Sequence, residues 1–130
     1  MTAGDATDAQ SRWIDLCLSA HLAEAGSAVP FDVSFHGQTC RGFAVRYQGR
    51  AYAYLNRCTH VPMELDWQPG QVFDDTGQWL VCATHGASYR PDTGACAGGP
   101  CRGGLVPIEL RESAGLVQWH SRPGLVAVVF

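Results

Sequence analysis

The sequence contains no lysine. All nine basic residues are arginines, set against twelve acidic ones, for a net charge of −3 over 130 residues. Without a concentrated positive face there is little to hold a phosphate backbone, which argues against nucleic acid as a partner. Long apolar runs are also missing. The longest, Leu125 to Phe130, is far too short to span a bilayer. Residues 1 to 12 show neither a basic start leading into an apolar stretch nor a twin arginine. The expectation is a soluble cytoplasmic protein with no membrane partner. Finally, there is no G-x-S-x-G, no H-E-x-x-H and no phosphate-binding glycine loop, so no catalysis of its own is expected.

The residues that are present suit a single domain over 1–130, since 46% are apolar and can furnish a core. Fifteen glycines and seven prolines imply many turns and short elements. In order, residues 1–11 read as a loose polar terminus, and Trp13 to Leu18 as a strand or the start of a helix. Ser19 to Gly26 reads as a turn or one helical turn. Val29 to Phe35 alternates through Pro30 and reads as an edge strand, because proline cannot donate to a ladder. Phe43, Val45 and Tyr47 alternate up to a Gln48-Gly49 turn, and Tyr52, Tyr54 and Leu55 return from it, predicting a β-hairpin. Further strands are expected at Gln78–Cys82, Leu105–Leu110, Leu116–Trp119 and Leu125–Phe130. About eight or nine short strands and at most a minor helix make the fold all-β.

The hairpin and the Gln78–Cys82 strand each run into a mixed pair of metal-binding side chains: Cys58-Thr59-His60 and Cys82-Ala83-Thr84-His85. Residues 61–81 lie between the pairs. Two thiolates and two imidazoles can hold a tetrahedral zinc ion. Zinc fingers, however, usually keep cysteine with cysteine and histidine with histidine. One thiolate and one imidazole in each half suits a two-metal cluster instead, with one metal taking both thiolates and the other both imidazoles.

With Gly86 after the second pair and Gly98-Gly99-Pro100 further on, this pattern resembles the signature of the Rieske iron–sulfur proteins, and specifically their soluble ferredoxins. The ligand core of the match spans about residues 57–105, which should form a cluster-binding subdomain of two loops on stacked antiparallel sheets. The resemblance implies one 2Fe–2S cluster, with Cys58 and Cys82 on the inner iron and His60 and His85 on the outer. Neutral imidazoles reduce the negative charge of the cluster and ease its reduction. Loss of their ring protons should make the potential pH-dependent above neutrality. Gly86, Ser88, Tyr89, Gly99 and Pro100 are expected around the cluster. The quinol-oxidising branch carries an extra cysteine in each ligand loop; Met63, Ala83 and Thr84 here rule out that bridge. Ala87 replaces a serine that donates to a sulfide in that branch, whereas Tyr89 matches its tyrosine donor. A low to intermediate potential for the family follows, with Tyr89 pulling it upward.

The function implied is single-electron transfer, from a reductase to an oxygenase or other oxidoreductase. A small subunit of a larger oxidoreductase, such as nitrite reductase, is the alternative, and a zinc-stabilised interaction module the second. Arg57, Arg90 and Arg102 flank the ligand segments and read equally well as a docking surface or as solvated turn residues. The segment Glu64 to Asp75 is a docking surface or an inserted turn. Cys96 and Cys101, in the Gly/Pro loop, read as small loop residues rather than a bridge or a redox pair, since a reducing cytosol disfavours the bond. Cys17 and Cys40 read as core or half-buried thiols.

Overall fold

The computed structural model describes residues 12–57, 65, 70–82, 86–99, 101 and 103–128. Within them are eleven strands: β1 (Trp13–Leu18), β2 (Val29–Phe35), β3 (Gln38–Tyr47), β4 (Arg50–Leu55), β5 (Leu80–Val81), β6 (Ser88–Tyr89), β7 (Cys96–Gly98), β8 (Pro107–Ile108), β9 (Leu110–Ser113), β10 (Leu116–His120) and β11 (Leu125–Ala127). A single 3-10 turn, Ser19–His21, is the helical turn anticipated after the opening strand. The fold is all-β, and its strand pairings are antiparallel.

Three sheets form, ordered β1-β10-β9, β11-β2-β3-β4-β8 and β5-β6-β7. The five-stranded sheet is the middle layer, and alternation along its strands feeds two cores. Ala44, Ala53 and Leu55 face a cluster with Val33, Val117, Trp119 and Leu125, shared with the sheet of β1, β10 and β9. Phe43, Val45 and Tyr54 face the other way, into a cluster with Leu65, Val72, Leu80, Cys82, Ala87, Tyr89 and Leu105. This is why the runs Phe43-Ala44-Val45 and Ala53-Tyr54-Leu55 are buried at every position. A sheet covered on both faces loses the polar half of its period.

Three hairpins close on the same dipeptide chemistry. His36-Gly37, Gln48-Gly49 and Ala114-Gly115 all have positive φ at both positions. They join Phe35 to Gln38, Tyr47 to Arg50 and Ser113 to Leu116. Two consecutive left-handed residues give a turn whose twist matches that of the strands it joins.

Two expectations are corrected. Val29–Phe35 is not an edge strand, because β11 pairs with its far end at Val33, Ser34 and Phe35. Among the described residues, β11 reaches only as far as Val33, and Pro30 pairs with Phe43 on β3. Leu105–Leu110 is not one strand either. β8 belongs to the middle sheet and β9 to the outer one, so the chain changes sheets around Glu109. β6 and β7 were not anticipated; two or three residues are too few to display a period.

Candidate functional site: a metal-cluster centre

The site grows out of the second core. β4 ends at Leu55, whose N–H donates to the Val106 carbonyl at 3.0 Å, and Asn56 N–H donates to the Arg41 carbonyl at 2.8 Å. The Asn56 side chain then turns inward and is 7% exposed. Its Oδ1 accepts from the Leu65 N–H at 2.8 Å. One buried amide thus clamps the two ends of the segment holding Cys58 and His60, while Leu65 is wholly buried beneath it. Residues 58–64 themselves, with Met63 and the expected ligands Cys58 and His60, lie outside the described residues.

The second ligand segment is a hairpin loop. β5 and β6 pair Leu80 with Tyr89 and Val81 with Ser88. At its base Cys82 N–H donates to the Ala87 carbonyl at 2.8 Å, and Gly86 N–H donates to the Cys82 carbonyl at 2.9 Å. Gly86 has φ +74°, a left-handed turn that glycine accepts without strain. Cys82 is 1% exposed. Ala83, Thr84 and His85 lie outside the described residues. Ser88 Oγ donates to the Gly86 carbonyl at 3.3 Å. Tyr89 is fully buried in the same apolar cluster as Cys82 and Ala87.

A third loop backs onto the second. Arg90 N–H donates to the Ala95 carbonyl, Gly94 N–H to the Arg90 carbonyl and Leu105 N–H to the Gly94 carbonyl. Tyr54 Oη donates to the Pro91 carbonyl at 2.8 Å, fixing this turn to the middle sheet. Burial, then the charge of Asp92 and the neighbouring Tyr52, push the Tyr54 phenol well above its usual pKa, so it remains a donor. At the tip, a Cβ on Gly99 would stand 2.9 Å from the Gly86 carbonyl and 3.0 Å from Ala87 Cα, so only glycine fits. Pro100 lies outside the described residues.

Contrary to expectation, Cys96 and Cys101 are joined as a disulfide, with Cα atoms 6.0 Å apart. Compartment chemistry is overridden by proximity: Cys96 on β7 and Cys101 beyond the tip lie within bridging reach. Cys17 and Cys40 are half-buried, as anticipated.

Of the three flanking arginines, Arg57 is exposed. Arg90 is exposed too but pairs with Asp92 at 3.2 Å. The hydrogen bond from Arg90 holds the Asp92 carboxyl below the usual range, so its charge offsets that of the arginine. Arg102 lies outside the described residues. In the stretch Glu64 to Asp75, the segment 70–77 is packed as a turn: Thr76 Oγ1 donates to Asp74 at 2.7 Å and Val72 is buried. Burial opposes the charge of Asp74, but hydrogen bonds from Thr76 and nearby amides outweigh it and lower its pKa.

Among the described residues no group of three His, Cys, Asp or Glu side chains could hold a metal. Of the four ligands expected, only Cys82 falls within them. What the described residues offer is a fit: a buried cysteine at the mouth of one loop, and a second loop clamped by Asn56, rooted in one core. Two such loops on short strands, standing on a β-sandwich, define a protein built to hold a small metal centre at one end.

The comparisons settle the class. A family model described as the Rieske [2Fe-2S] domain matches residues 12–112, and the chain belongs to that family. A 2Fe–2S cluster of the Rieske type, rather than zinc, is thereby its metal centre. The ferredoxin of carbazole 1,9a-dioxygenase from Nocardioides aromaticivorans IC177 is similar in structure, with a TM-score of 0.69 at 21% identity, over 86% of this chain and 100% of that one. The Sphingomonas yanoikuyae B1 ferredoxin gives 0.66 at 22% identity, over 85% and 99%. A structure described as the reduced complex between oxygenase and ferredoxin in carbazole 1,9a-dioxygenase gives 0.67 at 21% identity over 85% of this chain, which spans only 28% of the chain matched there. A search of the curated proteins finds no match.

Sequence reasoning passed over Asn56 and Tyr54. Asn56 had one visible signal, a polar residue ending the apolar run just before a ligand. Tyr54 had none, since its partner is 37 positions away.

Proposed function

We propose that this chain is a soluble, cytoplasmic electron carrier that accepts single electrons from a reductase and delivers them to an oxygenase. The observation that carries the reading is the end-to-end correspondence with free-standing ferredoxins: the fold accounts for 99–100% of two ferredoxin chains, with no further domain left over on their side. A solved complex of an oxygenase with its ferredoxin supports the choice of acceptor class. The absence, among the described residues, of a helix long and apolar enough to cross a membrane is consistent with it. Residues 1–130 act as one domain, with the cluster-binding subdomain at about 57–105.

Cys58, His60, Cys82 and His85 hold the cluster, which when bound stores and releases one electron. Asn56 holds the first ligand segment closed, and the Cys82–Ala87 hydrogen bond holds the second. Leu65, Leu80 and Tyr89 keep water from the inner side of the site. Gly86, Ser88, Gly99 and Pro100 shape the backbone around it. Arg57 and Arg102 carry positive charge toward a partner's acidic surface, with Arg90 contributing least because Asp92 offsets it.

The test is direct. Purified protein should be red-brown, give the reduced-state EPR spectrum of a His-ligated 2Fe–2S cluster and accept one electron per chain. Reduced protein mixed with a Rieske-type oxygenase should lose that electron faster at low ionic strength than at high. A colourless protein holding one zinc ion, or a reduced protein that no oxygenase reoxidises, would end this reading.

A further inference from the structure

The third loop is a two-rung ladder. Its outer rung is the Gly94 carbonyl accepting from the Leu105 N–H at 2.8 Å, where Gly104 is packed so closely that a Cβ would stand 2.8 Å from the same carbonyl. Its inner rung is the Cys96–Cys101 disulfide. Beyond that rung the loop tip lies on the backbone of Gly86 and Ala87, directly after the second ligand segment. Among the described residues, the tip meets β6 through two register pairs, Ser88 with Gly98 and Tyr89 with Cys96, interrupted by a bulge. The disulfide is the covalent constraint that ties the two sides of the tip together. Cys96 is exposed, whereas Cys101 is half-buried against the core around Cys82.

We propose that Cys96–Cys101 is a thiol–disulfide redox site, opened by a dithiol-class protein reductant, that sets how tightly the Gly98-Gly99 tip covers the cluster loop. The accessible sulfur is Cys96 Sγ. A reductant thiolate attacks it, the Cys96–Cys101 bond breaks, and the Cys101 thiolate leaves and takes up a proton. The reductant's second thiol then displaces Cys96 and becomes half of the reductant's own disulfide. Two electrons and two protons enter the protein, and the reductant is oxidised by the same two electrons. Exposed disulfides are the ones most readily exchanged in this way. In a reducing compartment the bond is thus a reporter of oxidation rather than a permanent brace. With the rung open, water gains access to the site, which favours the more negative, reduced state of the cluster. This last consequence rests on the electron-carrier reading above.

The holoprotein should be equilibrated in glutathione buffers running from fully oxidised to fully reduced, then alkylated and mapped by mass. Cys96 and Cys101 should be blocked at the oxidised end and both labelled at the reduced end. Amide exchange at Gly98 and Gly99 should quicken by about tenfold or more on opening, and the double variant C96S/C101S should show the fast rate in every buffer. At a fixed ambient potential the fraction of reduced cluster should rise several-fold in the opened protein and in the variant. Labelling of both cysteines even in oxidised glutathione would overturn the proposal, as would a bond that persists in reduced glutathione. Equal exchange rates in the closed and open forms would overturn it too. A holoprotein preparation without visible cluster absorbance sinks the carrier reading instead, while the labelling and exchange arms still decide the switch.

Discussion

The two ends of the molecule are built by different means. The base, where the five-stranded sheet packs on β1, β10 and β9, has strands of up to ten residues in long register, and its core is lined by Val33, Leu55, Val117 and Trp119. The cluster end has strands of two or three residues. Point anchors hold it: the Asn56 clamp, the Tyr54 hydroxyl on Pro91, left-handed glycines and one disulfide. Buried area stabilises the first in proportion to its extent, and no single contact decides it. At the other end each anchor fixes one backbone position. Substitutions in the base should therefore change stability and leave the site alone, and substitutions at the cluster end should do the reverse.

The largest effect expected is Trp119→Ala. This side chain is 3% exposed between the two sheets of the base, and removing it should cost about 3–5 kcal/mol through lost burial and a cavity. Denaturation followed by far-ultraviolet circular dichroism should show the loss, with the EPR spectrum of the surviving folded protein unchanged. An altered EPR spectrum would mean that the two ends are coupled.

Gly99→Ala sharpens the comparison from the other side. At φ +78° a side chain costs about 1–2 kcal/mol, and the new methyl would press on the backbone of Gly86 and Ala87. Neither contact is with a flexible side chain, so the tip must move. The cluster's EPR line shape and midpoint potential should shift while the denaturation midpoint of the base barely changes. An unchanged potential would show that the tip does not touch the environment of the site.

Asn56→Ala is next. It leaves the Leu65 N–H buried with no acceptor from this side chain, a loss of about 1–3 kcal/mol confined to the first ligand segment. Cluster loss to an iron chelator should quicken, and Asn56→Asp, which keeps an acceptor oxygen, should restore retention. If the aspartate variant fails as badly as alanine, the clamp is not what holds the segment.

The division also explains what the sequence disclosed. At the base, alternation in Phe43-Ala44-Val45 and the Gln48-Gly49 turn made the hairpin plain, because long strands and two-residue turns are local properties. At the cluster end, the kind of metal centre was legible from the order of the cysteine, histidine and glycine motifs. The supports of that chemistry were not: Tyr54 meets Pro91 across 37 positions, and β6 and β7 are shorter than a detectable period. Pro30 misled because β2 is an edge over part of its length and interior over the rest. Cys96 and Cys101 misled because compartment was weighed ahead of proximity.

The smallest effect separates the two ends by their ion pairs. In the base, Arg46 on β3 reaches Glu112 on β9 at 2.6 Å while also donating to the carbonyls of Leu22 and Ser19, so it ties the two sheets together. The hydrogen bond from Arg46 holds Glu112 below its ordinary value of 4.5. A carboxyl depressed on folding contributes stability that is complete above its unfolded pKa and is lost as pH falls through the folded value. Stability should decline on acidification below about pH 4.5, and Glu112→Gln should flatten that part of the profile by about 0.2–1 kcal/mol, the range for solvent-screened pairs. Asp92, at the other end, is depressed in the same sense by Arg90, yet that arginine is exposed and the pair spans only two residues. It joins no two elements, so Asp92→Asn should leave the acid limb of the profile where it was. A larger flattening from Asp92→Asn than from Glu112→Gln would reverse the comparison and place the acid-sensitive contact at the cluster end.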